Sequence, residues 1–486
     1  MSSTVDAMFN EGHAVPRPRA AAGGGALFDR ELILKYMAAA SFWLVFAPTV
    51  GAIVALKFNF YDFLGHISWL TWGRLRPVHV MGVVFGGFST AVIGLTYYIV
   101  PKLCGVPMYK EHWGRSIYWM WNIGLTVGFV SLALGYNSGI EAGEFPLWVS
   151  IPVEIVLCML VIQVVMTIKM RTEPRLYVSL WYLAAAYIWT ALNYAFGHFI
   201  LPYSMPGVNN AAMHGLYIHY VVGLWITPAG LGVAYYFLPL AAKRPLYSHK
   251  LSLVGFWALA FFYPFVGTHH YIYSPIPYWT QTIAIVASMM LIIPVWTVVQ
   301  NFYGTFVGAW KQFQDSFPAK FIVIGALYYF IGCFQGSTEA LREMQRLTHF
   351  TDFVIGHSHL TVFGTFVIWA TAGMYWVTPR LAGRELYSKN LAQWHYWLTV
   401  IGFSIMAFDL TVQGLMQGTM LQAGADFVDS MVAMKPYWFV RSLAGITMDI
   451  GAVLGFWNLY KTISHGELIP APAGASPNYL PEPQWS

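Results

Sequence analysis

The stretch TDFVIGHSHLTVFGTFVIWATAGMYWV, residues 351–377, decides the fold class. Residues 353–377 contain no Asp, Glu, Lys or Arg. An α-helix rises 1.5 Å per residue, so about 20 apolar residues cross the roughly 30 Å hydrocarbon core of a bilayer. The stretch is therefore a membrane span, and two histidines, His357 and His359, lie inside it. Working outward, similar runs recur along the chain near residues 34–56, 77–100, 116–136, 146–168, 177–200, 211–240, 251–272, 279–300, 320–338, 350–378, 391–413 and 437–460. The expectation is an all-α polytopic membrane protein with twelve transmembrane helices.

Composition agrees. Of 486 residues, 57% are hydrophobic and 10% charged, and mean hydropathy is +0.55. Soluble domains carry about 25% charged residues, so a water-soluble enzyme is excluded. An aromatic content of 17% with no short repeat excludes a disordered or fibrous chain. The net charge of +5 belongs to loops at a membrane surface, not to nucleic-acid binding. Cys104, Cys158 and Cys333 stand far apart, with no C-x-x-C and no C-x-x-C-H. Neither a disulfide framework nor a covalently attached c-type haem is expected.

Charge also orients the spans. With a cytoplasmic N-terminus, only Lys57, Arg74, Arg76, Arg342, Arg346, Lys435 and Arg441 fall on outer segments, and the other Lys and Arg fall on inner ones. The positive-inside rule therefore puts both termini on the cytoplasmic side of the membrane. Residues 1–31 read as a cytoplasmic segment without a signal-peptide core, 32–462 as the membrane domain, and 463–486 as a cytoplasmic Pro-rich tail, disordered from Leu468 onward.

Histidines gather at one depth. His79 opens the second span, His219 lies nine residues into the sixth, His269 and His270 close the seventh, and His357 and His359 lie early in the tenth. All are in the outer third. Singly, each could be an interhelical hydrogen bond. Together they form the arrangement that a bundle-core metal site needs. Adjacent His269 and His270 can both reach one metal, and a third imidazole would complete a site suited to copper, zinc or iron. His357 and His359 differ by about 200° around a helix, so they can serve two planar cofactors on opposite faces, with His79 as a second axial ligand for one.

At these residues the sequence resembles subunit I of the haem-copper oxygen reductase superfamily, specifically of the cbb3-type (C-family) cytochrome c oxidases. The motifs are R-L-R-P-V-H ending at His79, Y-I-H-Y-V-V-G around His219, Y-P-F-V-G-T-H-H ending at His270 and T-D-F-V-I-G-H-S-H ending at His359. The resemblance implies the twelve-helix fold of that subunit. It implies His79 and His359 as axial ligands of a low-spin haem b, His357 as ligand of a high-spin haem b3, and His219, His269 and His270 as ligands of copper. It further implies a tyrosine, Tyr263, cross-linked to His219. In other oxidase families that tyrosine follows the copper histidine by four residues, where this chain has Gly223.

The implied activity is reduction of O2 to water with electrons from membrane-anchored c-type cytochrome subunits, coupled to proton translocation. Tyr235, Tyr236, Tyr247 and Ser252 are candidates for a proton path from the inner side. Arg74 and Arg76 are placed to pair with haem propionates, and His349 to hydrogen-bond near those of haem b3. Glu141 and Glu144 resemble the family's calcium-binding loop. One departure stands out. The family's buried glutamate corresponds to Gln335, which cannot exchange a proton, and Glu339, one turn later, is the candidate substitute. A nitric oxide reductase of the same superfamily is the alternative. Gln335 favours it, whereas Tyr263 and Gly223 oppose it, since a carboxylate ligand is expected at the glycine's position. A non-haem secondary transporter is the third reading, without the inverted repeat that such folds show.

Overall fold

The computed structural model describes residues 26–485; residues 1–25, including Arg17 and Arg19 of the orientation count, and residue 486 lie outside them. Among the described residues the chain is helical, apart from one antiparallel bridge between Arg384 and Leu468. In chain order, α1 is Arg30–Asn59, α2 Trp72–Cys104, α3 Trp113–Leu134 and α4 Leu147–Lys169. Next come α5, Val178–Ala195, then α6 Gly207–Ala242, α7 His249–Tyr271 and α8 Tyr278–Phe306. The last four are α9 Phe317–Glu339, α10 Asp352–Ala382, α11 Lys389–Gln422 and α12 Phe427–His465.

Eleven of these helices are long and apolar enough to cross a membrane. The exception is α5, within the expected span 177–200. Its Trp181, Tyr182, Tyr187, Trp189, Asn193 and Tyr194 carry polar tips that lower its hydropathy.

Three helices form the centre. The apolar windows of α2, α6 and α10 are 89%, 94% and 78% buried inside the protein, against 39% for α1, α4 and α8. The central three carry His79, His219, His357 and His359. Each widens into a π-helical turn directly after its histidines: Gly82–Ser89 in α2, Val221–Ile226 in α6 and Leu360–Val367 in α10. These turns pack against one another. Such π-turns concentrate at functional sites, because the extra residue per turn re-aims the neighbouring side chains.

At the C-terminal end of α7 the winding tightens instead. After Phe262 the chain forms 3-10 turns at Tyr263–Phe265 and Gly267–Tyr271, which bring Tyr263, His269 and His270 to one side of the bundle.

The C-terminal tail corrects an expectation. Residues 466–485 are not disordered; they strap across the end of the bundle where α2, α6 and α10 finish. Arg30 Nη2 donates to the carbonyls of Pro477 (2.7 Å) and Tyr479 (2.6 Å). Glu482 faces Arg380 at 3.8 Å and Lys243 at 3.7 Å, and Trp485 packs on the Arg380 guanidinium. An extended Pro-rich segment keeps its carbonyls unpaired within itself, so they are free to accept from arginines of the bundle.

Candidate metal and haem centre

Two histidines face each other across a gap. The rings of His79 on α2 and His359 on α10 have centroids 6.3 Å apart and planes inclined by 22°. An iron held about 2 Å from two opposed imidazole nitrogens puts ring centres on the order of 6 Å apart. The tautomers suit that use. His79 Nδ1 lies 2.8 Å from the Ala47 carbonyl oxygen, and His359 Nδ1 2.8 Å from that of Ile355. A carbonyl only accepts, so each Nδ1 carries the proton and each Nε2 presents a lone pair. Gly51 of α1 makes room for this, since a Cβ there would come 2.5 Å from His79 Nδ1.

A second set lies beside them. His219 of α6 and His269 and His270 of α7 offer ligand atoms all within 4.8 Å of one another, the one such group of three among the described residues. Their ring centroids are 4.6 to 5.1 Å apart. His269 Nδ1 lies 2.7 Å from Ser288 Oγ on α8. That hydroxyl already donates to the Ala284 carbonyl at 2.6 Å, so it accepts from Nδ1–H and leaves Nε2 for a metal. His219 Nδ1 is buried without a partner. A buried, unpartnered imidazole nitrogen is costly unless a ligand takes it. The residues present therefore fit a metal held by three imidazoles.

A cavity of about 610 Å³ adjoins the three-histidine set and is lined by His219, His269, His270, His357, Tyr263 and Glu339. His357 stands beside Gly336 of α9. Tyr263 is buried, with its ring 4.8 Å from that of His219. The ring occupies the space a side chain at position 223 would need. A ligand or tyrosine borne on α6 four residues after His219 has no room.

The remaining expected residues separate into those at the cavity and those away from it. Glu339, the last residue of α9, is buried and lines the cavity, whereas Gln335 does not; its Nε2 donates to Thr411 Oγ1 at 3.2 Å. His349 also lines the cavity and is hydrogen-bonded to Gln345 Oε1. Partial burial lowers its basicity. Arg74 donates to the Ala133 carbonyl at 3.2 Å. Arg76 is ion-paired with Glu141 and stands 3.9 Å from Glu144. Both Glu144 oxygens are buried without a hydrogen bond, and desolvation pushes its pKa up to about 7, partly opposed by Arg76. His198, which had no expected role, clasps this acidic loop through the Gly143 carbonyl at 3.0 Å.

Among the proton-path candidates, Tyr235 meets Asn301 Nδ2 at 3.4 Å and stacks on Tyr182. Tyr236 packs against Tyr98, Ser252 donates to its own helix at His249, and Tyr247 is exposed. Sequence reasoning missed Ser288 and Asn301. Single polar residues on apolar helices carry no distinguishing signal until the fold shows what they face.

Comparison with known proteins agrees with this geometry. The family model "Cytochrome C and Quinol oxidase polypeptide I" matches residues 31–447. The chain belongs to that family. It is 31% identical over 468 residues to the cytochrome c oxidase subunit 1 homolog of Agrobacterium tumefaciens (strain T37), covering 92% of this chain and 87% of the relative. It is 31% identical over 447 residues to cytochrome c oxidase subunit 1 of Rhodobacter capsulatus, covering 88% and 84%. With the cbb3-type cytochrome c oxidase subunit CcoN1 of Stutzerimonas stutzeri it shares 30% over 438 residues, covering 87% and 92%. A solved structure of a heme-copper terminal oxidase dimer superposes with TM-score 0.75 at 17% identity, over 90% of this chain and 84% of that one, which shows a shared fold. Membership implies haem and copper as cofactors of an oxidoreductase.

Proposed function

We propose that this chain is the catalytic subunit of a cbb3-type cytochrome c oxidase, reducing O2 to water with electrons from c-type cytochromes and translocating protons. The similarity to a cbb3-type CcoN1 subunit supports it. The observation that carries it is the Tyr263 ring packed against His219 beside Gly223, next to the three-imidazole set. A nitrogen-only donor set favours copper over iron, and the filled space at Gly223 leaves none for a carboxylate ligand on α6.

In this reading His79 and His359 hold haem b, His357 holds haem b3, and His219, His269 and His270 hold copper. When bound, these groups supply the electron storage that four-electron reduction of oxygen requires. The chain's own residues do the rest. Tyr263, cross-linked to His219, holds its phenol hydroxyl at the cavity as a proton donor. Glu339 holds a second exchangeable proton at the same cavity, in place of the carboxyl that Gln335 lacks. Tyr235 with Asn301 marks the route by which protons come from the inner side, with Tyr247 and Ser252 toward its entrance. His349 and Arg74 steady the outer rim. Glu141 and Glu144 are the calcium-binding pair, whose oxygens suit a hard cation.

The chain lies in a bacterial inner membrane with both termini cytoplasmic, α5 supplying the twelfth crossing. The subunit designations of its relatives fit an assembly of several chains, in which membrane-anchored c-type cytochrome subunits deliver electrons at the outer face.

The test is His219→Ala in the purified complex. Retention of both haems with loss of copper and of oxygen consumption is expected. Iron in place of copper, with turnover of nitric oxide only, would replace the oxidase reading by the reductase one.

A further inference from the structure

Away from the haem and metal centre, a second cavity of about 340 Å³ forms a groove between α5 and α7. Buried Leu180 and Phe256 line it together with Trp181, Trp189 and Trp257. The Trp181 ring centre stands 5.6 Å from that of Phe256 and 5.7 Å from that of Trp257. Trp189 lies parallel to Phe256 at 6.0 Å. Trp181 and Trp189 are eight residues apart on α5, so the aromatic lining runs for about 12 Å along the helix. Trp257 is 58% exposed and Ile188 37%, so no other helix among the described residues covers the groove. On a membrane protein such an open apolar slot faces hydrocarbon.

One end of the slot carries charge. Ile168 and Leu176 close it where α4 finishes and α5 begins, and their chain neighbours are Lys169 and Arg175. Lys250, in the first turn of α7, precedes Trp257 by seven residues, two helical turns. It therefore shares the face of Trp257, about 10 Å nearer that same end. The His249 ring lies 5.7 Å from that of Tyr177, which sets the starts of α5 and α7 side by side. Lys169, Arg175 and Lys250 are all exposed, and none forms an ion pair among the described residues. Glu173 is the one acid in residues 169–177, and residues 243–250 contain none. Unanswered cations at the membrane surface attract anionic headgroups, and tryptophans favour the same interfacial depth.

We infer that this groove binds one anionic phospholipid from the leaflet at that end, the inner one in the orientation proposed above. An acyl chain lies along Trp181, Trp189 and Trp257, and the phosphate sits among Lys169, Arg175 and Lys250. The charge separates this lipid from the rest of the bilayer: a zwitterionic headgroup brings its own cation to the same place and gains less.

The experiment is native mass spectrometry of the delipidated, purified complex in neutral detergent. It is titrated with phosphatidylglycerol and, separately, with phosphatidylcholine of the same acyl chains. Wild type should hold one phosphatidylglycerol in clear preference to phosphatidylcholine. Arg175→Gln and Lys250→Gln should each weaken phosphatidylglycerol binding roughly fivefold and leave phosphatidylcholine nearly unchanged. Ala184→Phe, which fills the groove and keeps the cations, should abolish the retained lipid. The two charge variants alter exposed side chains and carry the test if the phenylalanine variant does not assemble. Equal affinity for the two lipids, or for wild type and both charge variants, would overturn the inference by reducing the groove to ordinary bilayer contact. Retention undiminished in Ala184→Phe would overturn it by placing the phosphate at the cations without the slot. Failure of wild type to bind either lipid would overturn it by giving the groove to another subunit of the complex.

Discussion

The ring of Tyr263 stands where Gly223 leaves a gap: a Cβ at Gly223 would lie 1.6 Å from Tyr263 Cε1 and Cζ. Two helices share one volume, α6 contributing the absence of a side chain and α7 the aromatic ring. Gly223→Ala should therefore push Tyr263 away from His219. Overpacking of this kind costs about 1–3 kcal/mol, and a misplacement of about 1 Å at a reacting centre costs on the order of a hundredfold in rate. Oxygen consumption should collapse while the haem spectrum stays intact. Wild-type turnover in the alanine variant would show that the ring's position is immaterial.

Ser288 holds His269 in the tautomer that leaves Nε2 free. Partners of this kind contribute roughly 10- to 100-fold to metal affinity. Ser288→Ala should lose copper during dialysis against a chelator faster than wild type, with haem content unchanged. Copper retention equal to wild type would remove Ser288 from the site.

Glu339 and Gln335 sit one turn apart on α9, yet only Glu339 lines the cavity. Positioned proton carriers contribute about a hundredfold or more. Glu339→Gln should slow oxygen reduction by about a hundredfold or more, whereas Gln335→Glu changes it little. The opposite ranking would return the proton relay to position 335.

Glu144 couples the acidic loop to pH. Burial raises its folded-state pKa from 4.5 to about 7. The folded state then binds more protons than the unfolded one between these values, so the contribution to stability is full below about 4.5 and is lost as pH rises through about 7. In calcium-free buffer, thermal stability should fall across that window, and Glu144→Gln should flatten the profile. Calcium needs the carboxylate and should bind more tightly as pH rises through the same window. A pH profile identical in the two proteins would contradict the burial argument.

Much of the architecture was legible because membrane helices write it in composition. Every span must bury its backbone hydrogen bonds within itself, so the apolar runs between charged loops could be read directly. Histidines at one depth were visible for the same reason: an imidazole is conspicuous in an apolar run. What escaped depends on neighbours. The hydropathy of α5 falls short because two of its tyrosines satisfy their polar tips against α2 and α4 only once packed, Tyr187 with Thr96 and Tyr194 with Ser150. The tail looked disordered because its composition is Pro-rich, yet its order comes from Arg30, Arg380 and Lys243, all far away in sequence.

Metal and haem analysis of the purified wild-type complex, read with its reduced-minus-oxidised spectrum, tests the central claim most directly. Bis-histidine low-spin and high-spin b-haem signals together, with one copper for each copy of this chain, are the predicted result. A spectrum without b-haem bands, or non-haem iron where copper should be, would contradict it.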